Sequence, residues 1–221
     1  IINDLTVTGG NGVGDNSGSG GGIHTRGTLT LNRSAVSGNT ATFFGGGIQN
    51  LAGGTLTLHQ STISENHVAS NGGGGGIENG GRLLVINSTI SGNQANSSGG
   101  GSGGGIWTGG PVTLVNSTIT GNAAAGPSST GGLYRSGSAI VTLKNTIIAG
   151  NTSTSNTWAD VRSSSSPGFN SLGYNLIGQN DSAETFFPPG NPNVNQDLVG
   201  TSGAPLNALL TSLQNNGGPA D

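Results

Sequence analysis

Residues 83–93 read LLVINSTISGN, and the chain writes almost the same phrase five times. It recurs as LTLNRSAVSGN at 29–39, LTLHQSTISEN at 56–66, VTLVNSTITGN at 112–122 and VTLKNTIIAGN at 141–151. A second element alternates with it, a glycine pair followed by an aliphatic residue, ending at Ile23, Ile48, Ile77, Ile106 and Leu133. Counted on those aliphatics the steps are 25, 29, 29 and 27 residues; counted on the asparagine that closes each phrase they are 27, 27, 29 and 29. A repeat in that range is the signature of a solenoid, a propeller or an array.

The strand pattern decides among them. Each phrase opens with two apolar residues at period 2, such as Leu56 and Leu58 or Val112 and Leu114, which places both on one face of a strand. One further aliphatic follows at a fixed offset: Val36, Ile63, Ile90, Ile119 and Ile148. With the aliphatic after the glycine pair, every turn offers about four inward apolar residues from short strands. A single turn buries too little to offset the entropy of ordering more than twenty residues, so the turns must stack. Propeller blades need four antiparallel strands and a longer period. The expected fold is therefore all-β, a right-handed parallel β-helix of about six turns with three short strands per turn and an irregular C-terminal cap. The hand follows the general rule for parallel crossovers. The repeats are expected over 1–152, as a half turn at 1–10 and five whole turns, with a degenerate final turn and cap or tail over 153–221. Leu206, Leu209, Leu210 and Leu213 have helical spacing and are expected to seal the upper end as a short helix or an irregular strand.

Asn39, Asn66, Asn93, Asn122 and Asn151 hold one position in successive turns, where stacked carboxamides can hydrogen-bond along the axis as a structural ladder. Asn87, Asn116 and Asn145, with Gln60, Arg33 and Asp4 at the equivalent place, form a second column. Segments of variable length, such as 95–103 and 123–130, are expected as loops on one side. Ile1, Ile2, Asn3, Asp4, Leu5, Thr6, Val7 and Thr8 match the second half of a unit, so the chain begins inside a turn and these residues are a candidate assembly edge.

Composition limits the chemistry. There are 45 glycines, 7% charged residues, a net charge of −3 and no cysteine, so neither a disulfide framework nor a thiolate metal site is available. No methionine occurs, and the chain is expected to be a processed or excised piece of something longer. One lysine and five arginines make no basic patch for nucleic acid, and no apolar run is long enough to span a bilayer. The nine acids are scattered and the three histidines make no cluster, so no catalytic, metal or cofactor site is expected.

The GG-aliphatic and SGN motifs resemble the repeats of the polymorphic-membrane-protein-type β-helices, exported bacterial surface proteins with GGA[ILV] and FxxN repeats. Residues 167–219, with GYNLIG and LQNNGGP, are similar to the end of large bacterial β-helix proteins that carry a choice-of-anchor region. This chain has Ile or Val where the family motif has phenylalanine, as at Ile90 in 90–93. The resemblance implies secretion, an extracellular or cell-surface location and a structural or adhesive role, and it carries over no catalytic residue.

The expected function is a non-enzymatic extracellular structural protein, a surface or filament subunit whose partner is itself, stacked head to tail. The alternative is a carbohydrate-binding or carbohydrate-active β-helix with surface glycans as partners. Its site would be the outward column His24, Gln49, Glu78, Trp107 and Tyr134, for which lateral packing is the plainer explanation. Ice binding by the pairs Thr28/Thr30 and Thr55/Thr57 is a third reading, broken in the next turn by 83–85.

Overall fold

The computed structural model describes residues 1–12, 18–97, 102–154, 158–165, 168–181 and 183–210. Among the described residues every regular element is a strand, and every pairing between strands is parallel; only isolated bridges in the cap run antiparallel. The strands stack as a β-solenoid of about six turns.

Each turn contributes to four sheets, one more than the sequence pattern suggested. Sheet A holds the paired-aliphatic strands, Ile2–Asn3, Thr28–Asn32, Thr55–His59, Arg82–Ile86, Val112–Val115, Val141–Lys144 and Phe169–Ser171. Sheet B holds Thr6–Thr8, Ala35–Ser37, Thr62–Ser64, Thr89–Ser91, Thr118–Thr120, Ile147–Ile148, Leu176–Ile177 and Leu198–Val199. Sheet C follows the asparagine, with Asn11–Gly12, Thr40–Ala41, His67–Val68, Gln94–Asn96, Ala123–Ala125 and Thr152–Ser153. Sheet D follows the glycine pair, with Ile23–Thr25, Ile48–Asn50, Ile77–Asn79, Ile106–Thr108, Leu133–Arg135 and Val161–Ser163. Sheet C was legible only as loop because its strands are two or three residues long. Their inward residues, Ala41, Val68 and Ala95, form a small cluster of their own instead of a strong apolar pattern.

Register is kept by identity of place. Leu31, Leu58, Val85, Leu114 and Leu143 are successive partners in sheet A; Val36, Ile63, Ile90, Ile119, Ile148 and Ile177 are successive partners in sheet B. These columns, with Ile48, Ile77, Ile106, Leu133 and Val161 of sheet D, are fully buried in one continuous core, and Ile23 packs against it partly buried.

The corner between sheets A and B turns through the left-handed region in every turn. Asp4, Arg33, Gln60, Asn87, Asn116, Asn145 and Tyr174 all have φ between 45° and 61°. Asparagine tolerates that conformation because its side chain bonds locally, which explains why it fills the upper part of the column. Arg33 and Asp4 are joined by an ion pair at 2.7 Å, and the guanidinium holds the exposed Asp4 carboxyl below its usual range. The corner between sheets B and C needs positive φ as well: Gly9, Gly38, Gly92, Gly121 and Gly150 meet it, and Glu65 meets it at φ 56°. A non-glycine residue there costs about 1–2 kcal/mol, more than the roughly 0.5–1 kcal/mol of chain entropy glycine would add. Glu65→Gly is therefore expected to stabilise the fold by about 0.5–1 kcal/mol in urea unfolding.

The solenoid continues past 152. Residues 152–177 complete a sixth turn, and Leu198–Val199 adds a last strand to sheet B. The C-terminal end of the core is closed by Ala183, Phe187 and Val199, with Phe169 packed on Phe186 and Phe187 at centroid distances of 6.0 and 5.2 Å. Leu206, Leu209 and Leu210 form neither a helix nor the seal; Leu209 and Leu210 are exposed, and Leu213 lies outside the described residues. The cap comes instead from the 183–199 segment, whose Phe-Phe-Pro-Pro sequence shows no periodicity to read.

Candidate functional site

Three polar columns run through the solenoid. The first is the asparagine ladder. The backbone amide and the Nδ2 of each asparagine donate to the Oδ1 of the next, at 3.1 and 2.9 Å from Asn39 to Asn66 and 3.0 and 2.9 Å from Asn66 to Asn93, Asn93 to Asn122 and Asn122 to Asn151. Every carboxamide therefore faces the same way, and the ladder has a donor sense. Its first acceptor takes the Gly10 amide at 2.8 Å. Its last donor, Asn151, gives both bonds to Asp160 Oδ1, at 3.0 and 2.8 Å.

Asp160 stands in the position of the second glycine of the pair. In the lower turns that glycine lies directly against a carboxamide: a Cβ on Gly47 would sit 2.8 Å from Asn66 Nδ2, and one on Gly76 would sit 3.0 Å from Asn93 Nδ2. Asn180, placed after Ile177 as Asn151 is after Ile148, donates to Phe187 O instead of extending the ladder, and Asp160, an acceptor without donors, completes the chain of donors.

The second column is one that the repeat concealed, because serine in NST-type phrases reads as a turn residue. The amides of Leu5, Ser34, Ser61 and Ser88 donate to the hydroxyls of Ser34, Ser61, Ser88 and Ser117, at 3.0–3.3 Å. Higher up, Thr146 N donates to Asn175 Oδ1, and Asn175 N and Nδ2 both donate to Asp197 Oδ1 at 2.9 and 3.0 Å. Asp197 is fully buried and also accepts from Ser171 Oγ. Both columns thus end on a carboxylate at the capped end. The third column lies in sheet D: Asn50 Nδ2 donates to Asn79 Oδ1 at 2.7 Å and Asn79 Nδ2 to Thr108 Oγ1 at 3.0 Å. Above it sits the fully buried Arg135, whose Nε donates to Ala139 O and Nη1 to Ser163 Oγ.

The outward column of sheet D is in register, His24 beside Gln49, then Glu78, Trp107, Tyr134 and finally Arg162, which the sequence pattern had not included. It is not an open platform. His24 is exposed and Trp107 half-buried, but Gln49, Glu78 and Tyr134 are buried beneath the loops that lead from sheet C to the glycine pair. The third glycine of each run explains this: a Cβ on Gly45 or Gly74 would strike the backbone of Ile48 or Ile77, and one on Gly73 would sit 2.6 Å from the Trp107 ring. Arg162 stacks on Trp158 and Tyr134, 3.8 and 5.1 Å from the ring centroids.

Glu78 is the titratable group this packing disturbs most. Burial raises its pKa to about 7, against the opposing effect of a hydrogen bond from Gln49. Its Oε2 and the Oε1 of Gln49 are both buried without a partner. Protonated Glu78 resolves this, since Oε2–H can donate to Gln49 Oε1 and close an acid–amide pair. Burial likewise raises Asp160 to about 6, opposed by its bonds from Asn151 and Gln179. A carboxyl whose folded pKa is raised contributes stability present below its unfolded pKa and lost as pH rises through the folded value. Stability is expected to fall by a few kcal/mol between about pH 4.5 and 7.5, with the upper part of the fall removed in Glu78→Gln. Asp4, shifted the other way, acts only below that window. Urea unfolding at a series of pH values measures this; a rise in wild-type stability across the window contradicts it.

Among the described residues no group of three or more His, Cys, Asp or Glu could hold a metal ion, and no helix is long and apolar enough to cross a membrane. The candidate edge residues occupy the first strands: Ile2–Asn3 pairs with the second strand of sheet A, and Thr6–Thr8 with the second of sheet B. Comparison of the chain with known protein families, with curated proteins and with solved structures finds no match.

Proposed function

We propose that this chain is a non-enzymatic structural module, a stiff solenoid scaffold of an exported bacterial surface protein. The carrying observation is the axial polar inventory: asparagine, serine and threonine side chains bond turn to turn along the length of the molecule, and two of the columns end on a buried carboxylate. Groups held this way stiffen the axis and are withdrawn from chemistry at the surface. The outer face of sheet B carries mostly Thr and Ser, and the ion pair of Arg33 with Asp4 lies at the first corner, away from the polar columns. Few charges, one lysine and no cysteine suit a protein working outside the cell.

The scaffold reading is favoured over head-to-tail filaments by the cap. Phe187, Ala183 and Val199 cover the end of the core on which a neighbour's first turn would stack. Antibody labelling of intact and lysed cells of the source bacterium tests the location: labelling of intact cells is expected, and labelling only after lysis contradicts the reading. Incubation with a panel of plant, algal and bacterial polysaccharides tests the rest, since release of shortened products above a heat-treated control would make the protein an enzyme.

A further inference from the structure

The segment 206–210 does not continue the cap. Leu206 N is bonded to Gly178 O at 3.0 Å, and from there the chain lies back over the corner between sheets B and C, towards the lower turns. With that corner it encloses a groove of about 440 Å³, whose floor is Ser64, Glu65, Ser91, Thr120 and the corner glycines. Four successive turns form that floor, and Ala208 and Leu210 form an apolar roof.

Three features of this groove suit it to a ligand. Ser64, Ser91 and Thr120 are partners in register, so their hydroxyls repeat along the floor at the strand spacing of about 4.8 Å. Ser91 is only 7% exposed, yet its hydroxyl has no hydrogen-bond partner among the described residues. Glu65, at the open end, keeps a left-handed backbone in a column that is otherwise glycine, and its exposed carboxylate has no ion-pair partner among the described residues. A strained residue whose carboxylate has no hydrogen-bond or ion-pair partner among the described residues points to work done outside the fold.

We propose that this groove binds an unbranched glycan along the solenoid axis. A pyranose is about as long as one rung of the floor, and its hydroxyls can both donate to and accept from serine and threonine. Its C–H face suits the roof of Ala208 and Leu210, and the corner glycines let the ring approach the backbone. Glu65 accepts hydroxyl or amine protons from the sugar at the open end. The site is distinct from the buried stripe of sheet D, and it does not depend on where the protein is displayed.

Calorimetric titration of the full chain with cellohexaose and with chitohexaose tests the proposal. At least one hexamer is expected to bind, more tightly than its trimer because the floor spans four turns. Glu65→Gly and Thr120→Val are each expected to weaken binding tenfold or more, while urea unfolding shows Glu65→Gly at least as stable as the parent. Failure of both hexamers to bind overturns the proposal. So does binding that both substitutions leave unchanged, since the ligand would then sit elsewhere.

Discussion

Asn93→Ala is expected to lower the unfolding free energy by at least about 4 kcal/mol, far more than truncation of an exposed polar side chain. The Asn93 carboxamide makes four bonds: its Oδ1 accepts from the amide and Nδ2 of Asn66, and its Nδ2 donates to Ile63 O and Asn122 Oδ1. All of these groups are buried, so truncation leaves donors and acceptors on both neighbouring turns unpaired, at about 1–3 kcal/mol each. Asn93→Asp is expected to be worse, because it sets an oxygen against Ile63 O and Asn122 Oδ1. Asn145→Ala is the control. Asn145 is an exposed corner residue at φ 49° whose Nδ2 donates to Asn116 Oδ1, and its replacement is expected to cost about 1–2 kcal/mol, from the lost bond and the left-handed backbone together. Equal costs at Asn93 and Asn145 in urea unfolding would mean that the ladder is not what holds the turns together.

Gly75→Ala is expected to cost at least about 3 kcal/mol or to prevent folding. Gly75 is the first glycine of its pair, and its φ lies outside the left-handed region, so conformational freedom is not why glycine stands there. Space is. A Cβ would meet Gln94 C, Gln94 O and Gly104 O, each at 2.5 Å, and all three are backbone atoms that can move only by displacing sheet C or the next turn. Gly53→Ala separates the two explanations. Gly53 has φ 86°, and no atom lies within 4 Å of the place its Cβ would take, so alanine there bears only the backbone penalty of about 1–2 kcal/mol. Thermal unfolding of both variants is expected to show Gly75→Ala as much the weaker; the reverse order would contradict the packing account of the glycine pairs.

The axial repeat was legible because each inward aliphatic recurs at a fixed place, and the sheet register puts Ile90 between Ile63 and Ile119 as the phrase spacing requires. The asparagine column was legible for the same reason. Sheet C was not, since Ala41 and Ala95 give no apolar contrast with their neighbours. The serine column was hidden behind the reputation of serine as a turn residue, although Ser34, Ser61, Ser88 and Ser117 recur as regularly as the asparagines. Asp160 and Asp197 each occur once, so no repetition marks them; their role depends on what is stacked below them. The outward stripe of sheet D was correctly aligned, but its burial depends on glycine-rich loops whose path a repeat cannot give. The groove was illegible for a related reason: the phrase at 56–66 has Glu65 where the other four have glycine, but the roof comes from residues more than 140 positions later in the chain.

Native-state hydrogen exchange on the full chain tests most directly the claim that the ladder joins the turns into one unit. The backbone amides of Asn66, Asn93 and Asn122 each donate to a carboxamide of the next turn, and they are expected to exchange slowly and at one common free energy. In Asn93→Ala all of them are expected to speed up together, including Asn122 in the turn beyond the substitution. Exchange at unrelated rates in the parent chain, or an Asn122 amide unmoved by loss of Asn93, would contradict the account.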